Sequence, residues 1–90
     1  MKLYEIYTVL HNAGYVLTQD DFSKNWLGRS KNYLAYLKNT EKDASIETLL
    51  RLRIHLMKEN EVETRWNIGT GVLTDLAERT TEAINNRIIA

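Results

Sequence analysis

Leu3, Ile6, Tyr7 and Leu10 recur at i, i+3, i+4 and i+7, the spacing of one apolar stripe on a first helix. Asn12-Ala13-Gly14 ends that stripe with the small and flexible residues that close helices. Thr18 is placed to cap a second helix, with Asp21 at its third position as a capping-box acid and both Asp20 and Asp21 near its positive end. Phe22 and Trp26, four residues apart, then face inward together. Gly28 falls where the chain must turn sharply, and Ser30 is placed to cap a third helix. In that helix Tyr33, Leu34 and Leu37 share one face, and Lys31, Asn32, Ala35, Tyr36 and Asn39 share the other. After the polar stretch 39–43, Ser45 opens a fourth helix bearing Ile46, Leu49, Leu50, Leu52, Ile54, Leu56 and Met57. So wide an apolar arc implies packing against more than one neighbour.

Residues 59–67 either continue this helix or form a short separate one, and Gly69-Thr70-Gly71 interrupts the pattern. A last helix is expected from Thr70 to about residue 88, with Val72, Leu73, Leu76, Ala77, Thr80, Ala83, Ile84 and Ile88 along one side. Its other face carries Asp75, Glu78, Arg79, Glu82 and Arg87. There is no proline and no alternating β-pattern, so the expected class is all-α. Two fates are open to the last helix: folding back on the chain's own core, or pairing with a second subunit.

Ninety residues with 43% apolar composition can bury one modest core. A single domain is expected, and association with a second copy would add stability. The absence of cysteine excludes disulfides and thiolate metal sites. No apolar run approaches the roughly 18 residues of a membrane span, and no signal-peptide core follows Lys2, so a soluble, cytoplasmic protein without a membrane partner is expected. The formal net charge is zero, which argues against a phosphate-rich partner, but the charge is segregated along the chain. Residues 22–58 hold eight bases, Lys24, Arg29, Lys31, Lys38, Lys42, Arg51, Arg53 and Lys58, against three acids. The segments on either side are net acidic. A field of this kind can orient a molecule on DNA while its total charge stays low.

Thr18-Gln19, Phe22-Ser23, Gly28 and Ser30, followed by Ala44-Ser45-Ile46-Glu47-Thr48-Leu49-Leu50, set two capped helices around a glycine turn and add a third capped helix behind them. Over residues 18–56 the chain resembles the helix-turn-helix DNA-binding domain of the lambda repressor and Cro (XRE-type) class of bacterial and phage regulators. The resemblance implies a lambda-repressor-like bundle of four to six helices with a C-terminal amphipathic helix. Residues 1–68 would form the helix-turn-helix domain and residues 69–90 the C-terminal helix, within one domain. Four features depart from the family pattern. Gly28 falls nine positions after Gln19, one more than usual; Tyr15-Val16-Leu17 lengthens the connection before Thr18; Lys38-Asn39 stands where Glu-Gly is common; and Arg53 interrupts the apolar arc. A guanidinium there needs an acidic partner or a route to solvent.

The resemblance further implies a sequence-specific transcriptional regulator whose helix from Ser30 enters the major groove of double-stranded DNA. Lys31, Asn32, Tyr36 and Asn39 would read bases, Asn32 foremost because its amide can bond two adjacent atoms of adenine. Gln19, Lys24, Arg29, Ser30 and Lys42 would hold phosphates. A homodimer joined through Val72, Leu73, Leu76, Thr80, Ala83, Ile84 and Ile88 would set two such helices about 34 Å apart on a palindromic operator. Such a regulator acts by blocking RNA polymerase or by touching it, and the two look alike in sequence. The alternative is a protein-protein interaction module on a helix-turn-helix scaffold, with Ala35, Tyr36 and the last helix as its contacts and zero net charge in its favour.

Enzyme chemistry finds little support, and a small nucleic-acid enzyme is the weakest of the three readings. His11 and His55 are far apart and lack a zinc-binding pattern, Gly69-Thr70-Gly71 is too short for a phosphate loop, and no nucleophile motif is present. No cofactor or metal is expected. Trp26 and Trp66 lie in amphipathic stretches and are expected to anchor the core.

Overall fold

In the computed structural model, which describes residues 2–67, 69 and 71–89, the apolar stripes become five α-helices, with no strand among the described residues. Helix α1 (Leu3–Asn12) buries Leu3, Ile6 and Leu10. It stops where Gly14 takes a φ of +87°, and the Tyr15 N–H returns to the Leu10 carbonyl at 2.9 Å.

Helix α2 (Gln19–Asp21) begins on Thr18, whose Oγ1 accepts the Asp21 N–H at 3.1 Å. The Asp21 carboxylate does not complete the expected capping box and instead accepts from Asn25 Nδ2. α2 runs directly into a π-helical turn (Phe22–Trp26), in which the Leu27 N–H reaches back to the Phe22 carbonyl at 3.1 Å. A π-turn holds one residue more than an α-turn. It takes up the extra residue between Gln19 and Gly28, and Phe22, Trp26 and Leu27 all bury as a result. Gly28 follows with φ +67°, and a Cβ built on it would stand 2.7 Å from an Arg51 guanidinium nitrogen.

Helix α3 (Tyr33–Thr40) starts three residues beyond Ser30, a correction to the expected cap. Ser30 is exposed, and its carbonyl accepts the Tyr33 N–H at 3.1 Å in an isolated turn, which leaves its hydroxyl too early in the chain to reach the helix. The side-chain cap comes from Ser23, fully buried in the π-turn, whose Oγ accepts the Leu34 N–H at 3.2 Å. The Ser23 carbonyl also accepts the Arg29 N–H at 2.9 Å. One residue therefore fixes both the turn and the helix after it.

Helix α4 (Ile46–Trp66) is a single helix of 21 residues, so residues 59–66 continue it. Ser45 caps it as expected, with the Thr48 N–H donating to Ser45 Oγ at 3.2 Å. Helix α5 (Val72–Ile89) lies against it, and the position of Thr70, its expected first residue, falls outside the described residues. Thr74 Oγ1 meets Asn60 Oδ1 at 3.2 Å, Arg53 Nε donates to Thr81 Oγ1 at 2.8 Å, and Arg87 donates to the Ala44 carbonyl. Residue numbers fall on α4 as they rise on α5, so the two helices are antiparallel.

This packing corrects the expectation of a dimer face on the last helix. Leu73, Leu76, Thr80 and Ile84 are buried in the chain's own core, Val72 and Ala83 are half-buried against it, and only Ile88 is exposed. The buried Thr80 hydroxyl donates to the Leu76 carbonyl at 2.8 Å, which satisfies it inside an apolar face. Arg53 needs no acid, because it stays half-buried at the helix edge and bonds Thr81. One further expectation fails, since Trp66 is 69% exposed at the far end of α4. The wide arc does pack on more than one neighbour, α5 and the π-turn, through Leu49, Leu52 and Leu56, while Leu50, Ile54 and Met57 stay open to solvent. The Cα radius of gyration is 12.7 Å, against about 12 Å for a compact chain of this length.

Ser23→Ala strips the Leu34 N–H of its buried acceptor and should lower stability by about 1–3 kcal/mol, while Ser30→Ala should change it by less than about 0.5 kcal/mol. Urea midpoints of the two variants check this order.

Candidate functional site

The inward turn of Leu34 and Leu37, with Tyr33 half-buried beside them, leaves the opposite side of α3 in solvent. Ala35, Tyr36 and Asn39 stand exposed there. Lys31 and Asn32 are also exposed, but they occupy the turn ahead of Tyr33 rather than the first turn of the helix. The side chains of Lys31, Asn32 and Asn39 bond to no other described residue. Tyr36 is steadied by Lys42, whose Nζ donates to the phenol oxygen at 3.3 Å and lies 5.8 Å from the ring centroid. Lys38 sits 4.3 Å from the Tyr4 ring centroid and so points toward α1, away from this surface.

The residues expected at phosphates divide. Gln19 is half-buried at the start of α2, while Lys24, Ser30 and Lys42 are exposed. Arg29 is half-buried and engaged inside the protein. Its Nε donates to Thr48 Oγ1 at 2.9 Å, one terminal nitrogen donates to Ser45 Oγ at 3.1 Å, and its carbon centre lies 5.4 Å from the Tyr33 ring centroid. It ties the Gly28 turn to the capped end of α4, a role the sequence reading missed. The signal was present in Ser45 and Thr48, which put two hydroxyls one turn apart at a helix start. Which cation meets them depends on tertiary packing.

Ion pairs form within α4 and α5: Arg51 with Glu47 at 3.4 Å, Arg65 with Glu61 at 3.7 Å and Arg79 with Asp75 at 3.3 Å, and His55 Nε2 lies 3.7 Å from the Glu59 carboxylate. No ion pair among the described residues involves Lys24, Arg29, Lys31, Lys38 or Lys42. The far helices therefore neutralise much of their own charge while the cations around α3 remain uncompensated at contact distance. Glu41 and Asp43 flank Lys42 in the chain, and Asp20 and Asp21 stand just before Lys24, so Lys31 is the exposed cation of this surface farthest in sequence from an acid.

The remaining residues weighed for chemistry serve packing. His11 stacks on Tyr7 with ring centroids 5.6 Å apart and holds Nδ1 at 3.1 Å from the Val16 carbonyl. His55 packs on Trp26, with ring centroids 4.2 Å apart. No helix among the described residues is long and apolar enough to cross a membrane.

The sequence matches, over residues 3–90, the model of a family described as a family of unknown function, DUF6626, and the chain belongs to that family. No curated protein and no solved structure gives a significant match.

Arg29→Ala removes two bonds from a charged donor to partly buried hydroxyls and should cost about 1.5–3 kcal/mol of stability. Lys31→Ala and Asn32→Ala, which touch only solvent, should each stay within about 0.5 kcal/mol. Thermal and urea denaturation of the three variants separate the scaffold residue from the surface ones.

Proposed function

We propose that this family member is a sequence-specific DNA-binding transcriptional regulator of the lambda repressor and Cro type, with α3 and the turn before it in the major groove. One observation carries the reading. Asn39, on the exposed side of α3, and Lys31 and Asn32, in the turn that leads into it, hold free hydrogen-bonding groups beside a helix start fixed by a buried serine. Base recognition requires side chains that are unengaged in the free protein and set on a rigid element.

The division of labour follows from the contacts. Asn32 is suited to adenine through its paired donor and acceptor, and Lys31 to guanine. Ala35 presents a methyl group on the same face, the kind of surface that meets thymine C5 methyls. Lys42 and the phenol of Tyr36 form a preassembled donor pair for a backbone phosphate, and Lys24 adds charge at the turn end. Arg29 acts through Ser45 and Thr48 by holding the turn in place, so it is a positioning residue. Two copies related by a two-fold axis would bind a palindromic operator and act by blocking RNA polymerase or by touching it.

Selection from a random duplex library at moderate salt should return a short, inverted-repeat consensus. Affinity for it should fall steeply between about 50 and 200 mM salt, as counterion release demands. Asn32→Ala should weaken binding by about 1–3 kcal/mol and relax preference at one base pair of each half-site. Enrichment of no sequence, together with no salt-dependent binding to any duplex, would overturn the proposal.

A further inference from the structure

We propose that the chain pairs with a second copy of itself through the outward face of α4. The centre of this face is Leu50, Ile54 and Met57, at i, i+4 and i+7, which are 42%, 53% and 49% exposed. Helical geometry sets the three within about 60° of one another, so they form a continuous apolar ridge along the helix. Among the described residues, none closes over it, and each of the three keeps about half of its surface in solvent.

The flanks of the ridge identify the occupant. On one side Ile54 borders a groove of about 210 Å³ whose charged walls are Arg51 and Lys58. On the other, Met57 borders a groove of about 440 Å³ between α4 and α5, lined by Glu78 and Glu82 together with Arg53, whose Nε is held by Thr81. A ridge with a basic excess on one flank and an acidic excess on the other is complementary to itself. A two-fold axis running along α4, in the plane of contact, carries each basic flank onto the acidic flank of the second copy.

The register between α4 and α5 makes the pairing specific. Asn60 is level with Thr74, and Arg53 with Thr81, so Lys58 lies at about the height of Glu78 and Arg51 at about the height of Glu82. Under the two-fold, Lys58 of each copy meets Glu78 of the other, while Arg51, already paired with Glu47 in its own helix, comes level with Glu82. The opposite arrangement, with the two α4 helices antiparallel, would set basic flank against basic flank. An apolar centre of three half-exposed side chains in a protomer with a complete core fits a reversible dimer rather than an obligate one.

This interface leaves the exposed side of α3 uncovered and rests on nothing in the DNA reading, and its test contains no DNA. In sedimentation at about 0.15 M salt, across a series from about 1 μM to about 1 mM, the wild type should pass from monomer to dimer. Ile54→Asp should remain monomeric with unchanged helicity by circular dichroism. Lys58→Glu and Glu78→Lys should each weaken self-association about tenfold, because two symmetry-related contacts turn repulsive. An equimolar mixture of these two variants should associate at wild-type strength, since both cross-pairs are then opposite in charge, an effect that no change in folding can imitate. A wild type that stays monomeric throughout, or a mixture no tighter than its components, would overturn the proposal.

Discussion

A single buried hydroxyl governs the arrangement of the N-terminal half. The first amides of a helix lack partners within it, and an amide buried with no acceptor costs on the order of 1–3 kcal/mol. In α3 the amide of Leu34 is buried, and its acceptor is supplied by Ser23 of the preceding π-turn. The same residue accepts the Arg29 amide through its carbonyl. The angle between the two helical segments is thus set by short-range bonds to one side chain and its backbone. Arg29 carries that constraint onward to Ser45 and Thr48, so the start of α4 is locked to the same turn. An α3 held in this way can present its outer side chains without ordering anything at the moment of binding, which favours affinity.

The C-terminal half obeys a different constraint. A helix of 21 residues with apolar side chains over most of its circumference has more surface to cover than one partner can cover. α5 and the N-terminal helices take Leu49, Leu52 and Leu56, each worth about 1.5–3 kcal/mol of burial. The remaining ridge of Leu50, Ile54 and Met57 is left in water. Its flanks carry charge excesses of opposite sign, and that asymmetry distinguishes it from a merely uncovered patch.

Much of the fold was legible in the sequence because its signals are local. The stripe of α1, the Thr18 and Ser45 caps and the sharp turn at Gly28 each follow from a few neighbouring residues. The extra residue before Gly28 was visible as a spacing anomaly, but its resolution as a π-turn was not, because only tertiary packing of Phe22, Trp26 and Leu27 selects that geometry. Ser30 looked like the cap of α3 for the same reason: from sequence alone the nearer serine wins over Ser23, which reaches Leu34 only through the fold. The exposed side of α3 followed from the helical period, whereas the inward engagement of Arg29 depends on contacts 16 and 19 residues away. The inward and outward halves of the α4 arc could not be separated until the position of α5 was known.

The exposed, unengaged side chains around α3 and the uncompensated cations at its turn are the features that a DNA-facing helix needs, and they stand apart from the ridge on α4. An amide-resolved NMR titration of the labelled protein with a selected duplex tests that assignment most directly. If α3 faces the groove, the largest shifts fall on residues 31–39 and on Lys42, with the α4 ridge unmoved. Shifts confined to α4 and α5, or none at saturating duplex, would contradict it.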